Sequence, residues 1–331
     1  MPGRRVLITG VSSLVGGELA RRLERDPEVE CVFGLDTRRP AVELETTELI
    51  EADIRSPTIA RLIPHTGVDT VVHNQIIRRP GPGTSARAMH DINVIGSLQL
   101  LAACEKSETI RTIVVRGSAG IYGAEPNAPQ FFDESMSRLF PLRTRFQRDV
   151  AEIENYFETF SRRHPQVCCT MLRYQPSIGA GLDTQVSRYL SLPFVPTYLG
   201  FDPRIQLVHH EDAIEALVAA VSHPVRGAVN VAGPGTIGLT RMIRLSGRPI
   251  APIPAPLFGS TVAAARRLGM ADFSDDFRRL LRYGRAVDIK RLTEEVGYRP
   301  RHSTVEAVKD WSAKQEGRRL TQPLRRIVAP A

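Results

Sequence analysis

The chain has 331 residues, of which 42% are hydrophobic and 24% are charged. This composition excludes disorder, collagen and coiled coil as descriptions of the whole chain, and the length predicts about two domains. The net charge is +8, and half of it lies in residues 313–331, where five basic residues face only Glu316. Because the sequence has no recognised nucleic-acid-binding module and no basic stripe with interleaved aromatic residues, no nucleic-acid partner is expected.

Three global features predict a cytoplasmic protein. The sequence contains no apolar run of about 18 residues, so no membrane-spanning helix is expected. The opening segment MPGRRVLITG has neither the apolar core nor the cleavage site of a signal peptide. The cysteines at positions 31, 104, 168 and 169 lack metal-ligand spacing, which is typical of a reducing compartment.

The first half of the chain alternates short apolar runs with amphipathic segments. The pattern predicts buried strands at residues 6–8, 31–35, 70–73 and 112–115, and helices at 18–25, 86–104 and 148–162. Such alternation is typical of a parallel sheet covered by helices on both faces. The predicted fold class is therefore α/β, a Rossmann-type doubly wound parallel sheet, and residues 1–172 form its main domain.

After about residue 173 the pattern loosens, and prolines interrupt it repeatedly. We expect residues 173–312 to form mostly a smaller C-terminal substrate-binding region, with 207–232 returning to the sheet. Late helices are predicted at 288–296 and 304–312. The remaining segment, 313–331, is expected to be a basic, disordered tail.

A glycine turn follows the first predicted strand and opens a helix. Gly10 permits the tight turn, and Gly16 lets the helix pack close to the strand, so that backbone N–H groups at the helix start can bind a pyrophosphate. The next strand ends at Asp36, about 20 residues further on, where an acid binds the adenosine ribose and repels a 2′-phosphate. This pattern predicts NAD rather than NADP, although the nearby Arg38 weakens that preference.

Further motifs follow in the order found in one enzyme family. They are Ala52-Asp53-Ile54, Val71-Val72-His73, Asn93-Val94-Ile95-Gly96, Ser118-Ala119-Gly120-Ile121-Tyr122-Gly123, Leu172-Arg173-Tyr174 and Leu207-Val208-His209-His210-Glu211-Asp212. From about residue 4 to 312 the chain resembles the extended short-chain dehydrogenases/reductases, in the NAD-dependent epimerase/dehydratase branch of the UDP-glucose 4-epimerase kind. The resemblance implies bound NAD, a nucleotide sugar or another biosynthetic small molecule as substrate, and a homodimer built through a four-helix interface.

The predicted cofactor site combines the glycine turn with positions that this resemblance implies. Its residues are Gly10, Ser12, Ser13, Leu14, Val15, Gly16, Asp36, Arg38, Asp53, Ile54, His73, Asn74, Gln75 and Asn93. Ser13 is a departure, because the family pattern TGxxGxxG has its middle glycine there. A serine side chain crowds the backbone's approach to the pyrophosphate, so we expect weaker binding of the cofactor rather than none.

The catalytic pair of the family is missing from this sequence. Members that oxidise or reduce a C–OH bond use a Tyr as general acid/base, a Lys four residues later, and a Ser. Ser118 is retained, but Phe146 stands in the Tyr position and Val150 in the Lys position. No lysine lies between Lys106 and Lys290, so a shifted alignment cannot restore the pair. General acid–base catalysis contributes about 10²–10⁴-fold, and we expect the usual mechanism to be badly impaired.

Other side chains are candidates for the missing chemistry. Besides Ser118, we predict catalytic roles for Tyr174 and Gln75, with Tyr122 as a second-choice proton donor. His73 is more typical of a hydrogen-bonded core histidine than of a catalyst. In the run that begins at His209, adjacent residues of a strand point to opposite faces, so no metal site is predicted.

Three explanations for the missing pair remain open. The protein is an enzyme in which other groups transfer the proton, an enzyme of another reaction type without net redox change, or a cofactor-binding sensor, scaffold or partner subunit. We favour an atypical NAD-dependent oxidoreductase, epimerase or dehydratase, with a non-catalytic NAD-binding regulatory or scaffold protein as the alternative. A shaped polar cavity at the nicotinamide position favours the enzyme, whereas a cavity plugged by apolar side chains such as Phe146 favours the alternative.

Overall fold

The computed structural model describes residues 3–77, 85–137, 139–260 and 273–321. Among these residues, no helix combines the length and the apolar character that crossing a membrane requires.

Thirteen strands lie in the described part of the chain. In chain order they are β1 (Arg4–Thr9), β2 (Val29–Asp36), β3 (Glu48–Glu51), β4 (Thr70–His73), β5 (Thr112–Ser118), β6 (Cys168–Tyr174), β7 (Ser177–Ile178), β8 (Val195–Tyr198), β9 (Arg204–Ile205), β10 (Val208–His209), β11 (Gly227–Val231), β12 (Ile237–Gly238) and β13 (Ile250–Ile253). Seven of them form one sheet in the order β11-β6-β5-β4-β1-β2-β3, and every pairing within it is parallel. The remaining strands form three small two-stranded sheets.

Helices cover both faces of the large sheet and build much of the second half. In chain order they are α1 (Leu14–Leu23), α2 (Ile59–Thr66), α3 (Ala86–His90), α4 (Gly96–Glu105), α5 (Arg145–Arg163), α6 (Gln185–Leu190), α7 (His210–Ser222), α8 (Leu239–Leu245), α9 (Asp275–Tyr283), α10 (Lys290–Glu294) and α11 (Thr304–Thr321). The predicted Rossmann-type doubly wound fold is confirmed.

The two faces of the sheet carry separate apolar cores. In β1, Val6 and Ile8 face the core shared with α1 and α7, whereas Leu7 faces the core shared with α2, α4 and α5. All three side chains are fully buried. Because strand residues alternate between faces, a continuous apolar run such as Val6-Leu7-Ile8 is what a strand covered on both sides requires.

The second half contributes one strand to the sheet and a core of its own. β11 pairs in parallel with β6 at the edge of the sheet. A third apolar core joins residues of α6, α8, α9 and α11, including Tyr189, Leu280 and Trp311. Helix α11 continues to Thr321, so the expectation of a disordered tail from residue 313 was wrong for 313–321. Residues 322–331 lie outside the described part.

A buried carboxylate ties the C-terminal segment to the sheet domain. Asp212, in the first turn of α7, accepts hydrogen bonds from Tyr298 Oη (2.7 Å), the N–H of Arg301 (2.8 Å), and both the N–H (3.0 Å) and Nδ1 (2.9 Å) of His302. Burial alone would raise the pKa of Asp212, but these bonds outweigh it and lower the pKa. The charged carboxylate therefore holds residues 298–302 against α7.

Candidate functional site

The dinucleotide turn between β1 and α1 has the geometry that the glycines predict. Gly10 has a φ of +71°, a left-handed conformation that favours glycine. A Cβ built on Gly16 would lie 2.3 Å from the carbonyl oxygen of Gly10, so only glycine fits where the helix starts against the turn. Leu14 and Val15, the first two residues of α1, line a cavity.

Ser13 turns its side chain back onto the glycine turn. Its Oγ donates to the carbonyl oxygen of Gly10 (2.8 Å) and accepts from the N–H of Gly16 (3.1 Å) and from Nδ2 of Asn74 (3.0 Å). The hydroxyl therefore caps α1, which Ser commonly does at a helix start. The cap engages one N–H group at the start of α1, whereas the predicted crowding of the pyrophosphate by the Ser13 side chain stays a prediction.

Asp36 lies at the carboxyl end of β2 and also bonds to the turn. Its Oδ2 accepts from the N–H (3.1 Å) and Oγ (2.7 Å) of Ser12, and its Oδ1 accepts from the N–H of Thr37 (2.7 Å). Arg38 and Arg39 are exposed and border, with Asp36, a small cleft beside the turn. The predicted ribose acid therefore lies beside the glycine turn, with two cations next to it.

Asp53 and Ile54 have different surroundings. Asp53 forms an ion pair with Arg55, at 2.6 Å between Oδ2 and Nη2, and this pairing lowers the pKa of its carboxyl. Ile54 is buried against Gly96, where an added Cβ would lie 2.6 Å from Ile54 Cγ2. Ile54 thus positions the start of α4, and the structure gives it no exposed surface for a cofactor.

His73 and Asn93 act on the protein itself. His73 is buried, and its ring bonds to Thr9 Oγ1 through Nδ1 and to Ser97 Oγ through Nε2, both at 2.8 Å. Burial lowers the pKa of His73 to about 4. Asn93 is fully buried, donates to the carbonyl oxygen of Ile77 (2.8 Å) and accepts from its N–H (2.7 Å). Both side chains therefore bond to other parts of the protein, and their assignment to the cofactor site stays a prediction.

The loop after β4 carries the two polar residues that distinguish this sequence. Asn74 donates to Ser13 Oγ and, at 3.3 Å, to the carbonyl oxygen of Gly10. Gln75 has a buried Oε1 for which the described residues offer no hydrogen-bond partner. Asn74 is therefore part of the turn, and Gln75 holds an acceptor without a partner beside Gly10.

A cavity of about 240 Å³ opens at the carboxyl ends of the sheet strands, where ligands bind in such folds. The N-terminus of α1 forms one wall, with Ser13, Leu14 and Val15. The end of β5 and the start of α5 contribute Arg116, Ser118 and Phe146. The opposite wall comes from the second half of the chain, with residues 182–186, Ser274, Asp276, Phe277, Leu280 and Arg285.

Ser118 and the two substituted positions lie together. Ser118 ends β5 with 3% of its surface exposed, and its Oγ accepts from the N–H of Gly120 at 3.1 Å. A Cβ built on Gly120 would lie 3.1 Å from that Oγ and 3.2 Å from Phe146 Cε1. Val150 is buried in an apolar cluster one turn along α5. The phenyl ring therefore borders the retained serine, and the aliphatic residue packs behind it.

The two tyrosines proposed as proton donors do not reach the cavity. Tyr174 is fully buried, and its hydroxyl donates to the carbonyl oxygen of Ala213 at 2.9 Å. Tyr122 donates to Asn230 Oδ1 at 2.7 Å, and burial raises its pKa to about 12. The predicted catalytic role of Tyr174 was wrong, because its phenol points into the core between β6 and α7.

Three cavity residues were not singled out from the sequence. Arg116 lies in the run Thr112-Ile-Val-Val-Arg-Gly-Ser, and a charge inside a buried strand was a signal that could have identified it. Asp276 and Arg285 are more than 150 residues from Ser118 in the chain, and no local pattern marks them. Asp276 Oδ2 lies 3.5 Å from the position of the Cβ built on Gly120, so it borders the same point as Ser118 Oγ.

A histidine cluster lies away from this cavity. His209, Glu211 and His302 bring one ligand atom each within 4.8 Å of one another. His209 Nε2 also lies 3.2 Å from Asp310, and His302 Nδ1 lies 2.9 Å from Asp212. The two imidazole rings overlap, with centroids 3.9 Å apart and 31° between their planes. Both imidazoles are thus already paired with aspartates, and the absence of a metal site stays a prediction.

Comparisons with known proteins identify the family. An uncharacterized protein of Mycobacterium tuberculosis is 38% identical over 325 residues, covering 96% of this chain and 84% of the relative. A UDP-glucose 4-epimerase structure from Thermotoga maritima with UDP-glucose matches with a TM-score of 0.70 at 18% identity, covering 95% of this chain and 99% of that one. A dTDP-glucose 4,6-dehydratase structure from Bacillus anthracis with NAD gives 0.70 at 14% identity, covering 96% and 98%.

At such identities the two structures show a shared fold. The family assignment comes from the sequence itself, because the pattern of the NAD dependent epimerase/dehydratase family matches residues 6–232. This match confirms the predicted family and agrees with the predicted cofactor. The chain belongs to the NAD-dependent epimerase/dehydratase family.

Proposed function

We propose that this chain is an NAD-binding enzyme that acts as an oxidoreductase, epimerase or dehydratase on a nucleotide sugar or another small biosynthetic molecule, without the Tyr/Lys pair. The observation that carries the proposal is the cavity at Ser118. Phe146 borders it but does not fill it, and about 240 Å³ remain between polar side chains of both halves of the chain. A chain that had kept only a structural role would have no need of this space.

The residues of the turn fit a dinucleotide. The close contact of Gly16 with Gly10 brings the start of α1 to the cavity wall, where helix N–H groups favour phosphate. Asp36 supplies a carboxylate for ribose hydroxyls, and Gln75 Oε1 is an acceptor without a partner in the described residues. When bound, NAD supplies hydride transfer to and from a substrate carbon.

Asp276 is our candidate for the proton transfer that the missing Tyr would perform. A phenyl ring at position 146 cannot exchange a proton, whereas a carboxylate can act as a general base. A Cβ built on Gly120 would lie 3.1 Å from Ser118 Oγ and 3.5 Å from Asp276 Oδ2, so both side chains border Gly120. Both also line the cavity, where we place the substrate hydroxyl between them. In this mechanism Ser118 orients the substrate oxygen and Asp276 accepts its proton.

The test begins with calorimetric titration of NAD, NADH, NADP and NADPH, followed by incubation with UDP-glucose and dTDP-glucose and chromatography of the products. We expect NAD or NADH to bind more tightly than the phosphorylated forms. Asp276→Asn should lower turnover by about 10²-fold or more while leaving NAD affinity within twofold. Asp275→Asn, at the neighbouring exposed position, is the matched control. Failure of all four nucleotides to bind would refute the proposal.

The alternative is a non-catalytic NAD-binding regulatory or scaffold protein. The loss of both catalytic positions to Phe146 and Val150 favours it. The same experiments separate the two, because a scaffold binds NAD without converting any substrate and is indifferent to Asp276→Asn.

We also propose a homodimer. Two large apolar side chains are exposed at the start of α4: Ile95, the residue before the helix, at 41%, and Leu98, in its first turn, at 39%. An apolar pair of this kind is typical of a helix that packs against a second subunit. Light scattering should give a dimer for the wild type and a monomer for Leu98→Glu, and a monomeric wild type would refute the proposal. The cytoplasmic location stays a prediction.

A further inference from the structure

The cavity holds two arginines that lack an acidic partner in direct contact. Arg116 and Arg285 both line its wall, and neither forms a salt bridge with a carboxylate of the described residues. Arg173, on the neighbouring strand, shows the usual arrangement: it is 2% exposed and pairs with Glu154 at 2.7 Å. A buried charge without a partner is costly, so unpaired arginines facing a cavity need a reason.

Arg116 lies two residues before Ser118 in β5, so both side chains point to the same face of the sheet. Its guanidinium lies over the ring of Tyr174, 5.3 Å from the centroid. Its Nη1 makes a long hydrogen bond of 3.4 Å to Asn74 Oδ1, and its buried Nε has no partner among the described residues. Burial lowers the pKa of this guanidinium, and the attraction of Tyr174 opposes the effect only in part.

Arg285 is 5% exposed and comes to the cavity from the other half of the chain. Its Nε donates to Gln175 Oε1 at 3.3 Å and its Nη1 to the carbonyl oxygen of Gly123 at 3.1 Å. These are neutral acceptors. Burial lowers the pKa of Arg285 as well, and the longer-range attractions of Asp276 and Tyr122 oppose that effect without cancelling it.

The acidic groups on the same wall do not cancel both cations. Asp183 forms a salt bridge with Arg188 outside the cavity wall. Asp276 borders the point above Gly120 next to Ser118 and acts on Arg285 from a distance. Among the described residues, no carboxylate forms a salt bridge with Arg116 or contributes to the shift of its pKa. The described cavity therefore carries an excess of positive charge at the end where the substrate would react.

We propose that Arg116 and Arg285 bind an anionic group of the substrate, a carboxylate or a phosphate, beside Ser118. This rests on the proposed function and narrows its substrate class to molecules with an acidic group close to the reacting carbon. Guanidinium groups favour such anions because their N–H donors match the two oxygens of a carboxylate or phosphate. The pyrophosphate of the dinucleotide shares this chemistry, and it is the other source of an anion that the test must separate.

The experiment uses NAD-saturated protein and three probes: inorganic phosphate, D-glucuronate and D-glucose. Glucuronate and glucose differ by one carboxylate, so their comparison in the wild type needs no mutation. Calorimetry and thermal shift should show phosphate and glucuronate binding at least tenfold more tightly than glucose. Arg116→Met and Arg285→Met should each weaken anion binding at least tenfold, and Arg61→Met, at an exposed site on α2, should not change it.

Affinity for NAD distinguishes the two sources of the anion. We expect Arg116→Met and Arg285→Met to bind NAD within about twofold of the wild type. If either substitution weakens NAD and ADP-ribose by the same factor as the anions, the arginine contacts the cofactor and the proposal is overturned. Equal affinity for glucuronate and glucose in the wild type would overturn it too. Absence of NAD binding would instead refute the proposed function.

Discussion

Two arginines on neighbouring strands show how the two faces of one sheet differ. Arg116 in β5 and Arg173 in β6 are almost opposite each other, since Gly117 pairs with Arg173 in the register. Arg173 forms two hydrogen bonds to Glu154, at 3.0 and 2.7 Å, and further bonds to Tyr122 and the carbonyl oxygen of Glu134. Arg116, on the other face, has one long hydrogen bond and an Nε without a partner in the described residues.

The different surroundings of the two residues indicate that Arg173 stabilises the fold, whereas Arg116 is available to bind a ligand. A buried arginine whose donors are all satisfied fixes the structure, and removing its partner leaves a charge that nothing compensates. A buried arginine with free donors beside a cavity raises the energy of the empty protein, and a ligand relieves it. We therefore expect substitutions around Arg173 to change the free energy of unfolding. Substitutions at Arg116 should instead change the affinity for an anionic ligand.

The largest effect should come from breaking the hydrogen bonds between Arg173 and Glu154. Glu154→Gln leaves Arg173 buried with a neutral partner, and we expect a loss of about 3–5 kcal/mol in the free energy of unfolding. Urea denaturation measures it, and Glu158→Gln, at an exposed position of the same helix, is the control. Anion affinity of the folded fraction should not change. A stability within 1 kcal/mol of the wild type would remove the contrast between the two arginines.

His73, like Arg173, is buried and hydrogen-bonded within the protein. It should make the free energy of unfolding fall at acidic pH. Burial lowers its pKa from 6.5 to about 4, so between these values the unfolded chain binds a proton that the folded chain does not. Its contribution is complete above pH 6.5 and is lost as the pH falls toward 4. At about 1.4 kcal/mol for each pKa unit, the loss is about 3 kcal/mol.

The measurement is urea denaturation between pH 7 and pH 4. His73→Gln should flatten this part of the profile relative to the wild type, whereas His65→Gln, at an exposed position of α2, should keep it. An unchanged slope in His73→Gln would assign the acid sensitivity to other groups.

At the cofactor end, Asp36→Arg should change selectivity rather than stability. The substitution removes the acceptor for the ribose hydroxyls and adds a cation suited to a 2′-phosphate. Hydrogen bonds to charged groups contribute about 1.5–3 kcal/mol, so NAD affinity should fall about 10- to 100-fold and NADP affinity should fall less or rise. Calorimetry with both nucleotides measures the ratio, with Glu158→Arg as the control for added charge. An unchanged ratio would remove Asp36 from its assigned role.

The smallest effect is expected at Ser13. Ser13→Gly removes the hydroxyl that engages the N–H of Gly16 and the carbonyl oxygen of Gly10, and glycine at a helix N-cap costs only a few tenths of a kcal/mol. NAD affinity should rise about two- to tenfold. Ser13→Ala keeps the Cβ and loses the hydroxyl, so the pair of variants separates steric crowding from competition for the N–H group. Weaker binding in Ser13→Gly would show that the serine helps to hold the phosphate.

Local patterns were sufficient for the sheet domain and its turn. The apolar runs of the first strands, the positions of Gly10 and Gly16, and Asp36 at the end of β2 all depend on near neighbours in the chain. Ser118 was found through the resemblance to the family, whose serine it retains at the end of a buried strand. The same resemblance identified the loss of the Tyr and Lys at Phe146 and Val150.

The substrate end could not be predicted in this way. Asp276 and Arg285 meet Ser118 only after the second half folds back over the sheet, and their local sequence gives no sign of it. Tyr174 was misassigned because strand periodicity says that it is buried but not which acceptor its hydroxyl finds. In the structure that acceptor is the carbonyl oxygen of Ala213 on α7, and no periodic pattern relates the two.

The position of β11 has a consequence for biosynthesis. A nascent chain completes β1 to β6, the glycine turn and Ser118 long before residues 227–231 are made, so until then the edge of β6 has no neighbour. An unpaired strand edge is a template for association with other chains. A fragment ending before Gly227 would therefore carry the whole dinucleotide turn and still aggregate, whereas one ending after Val231 would have its edge covered.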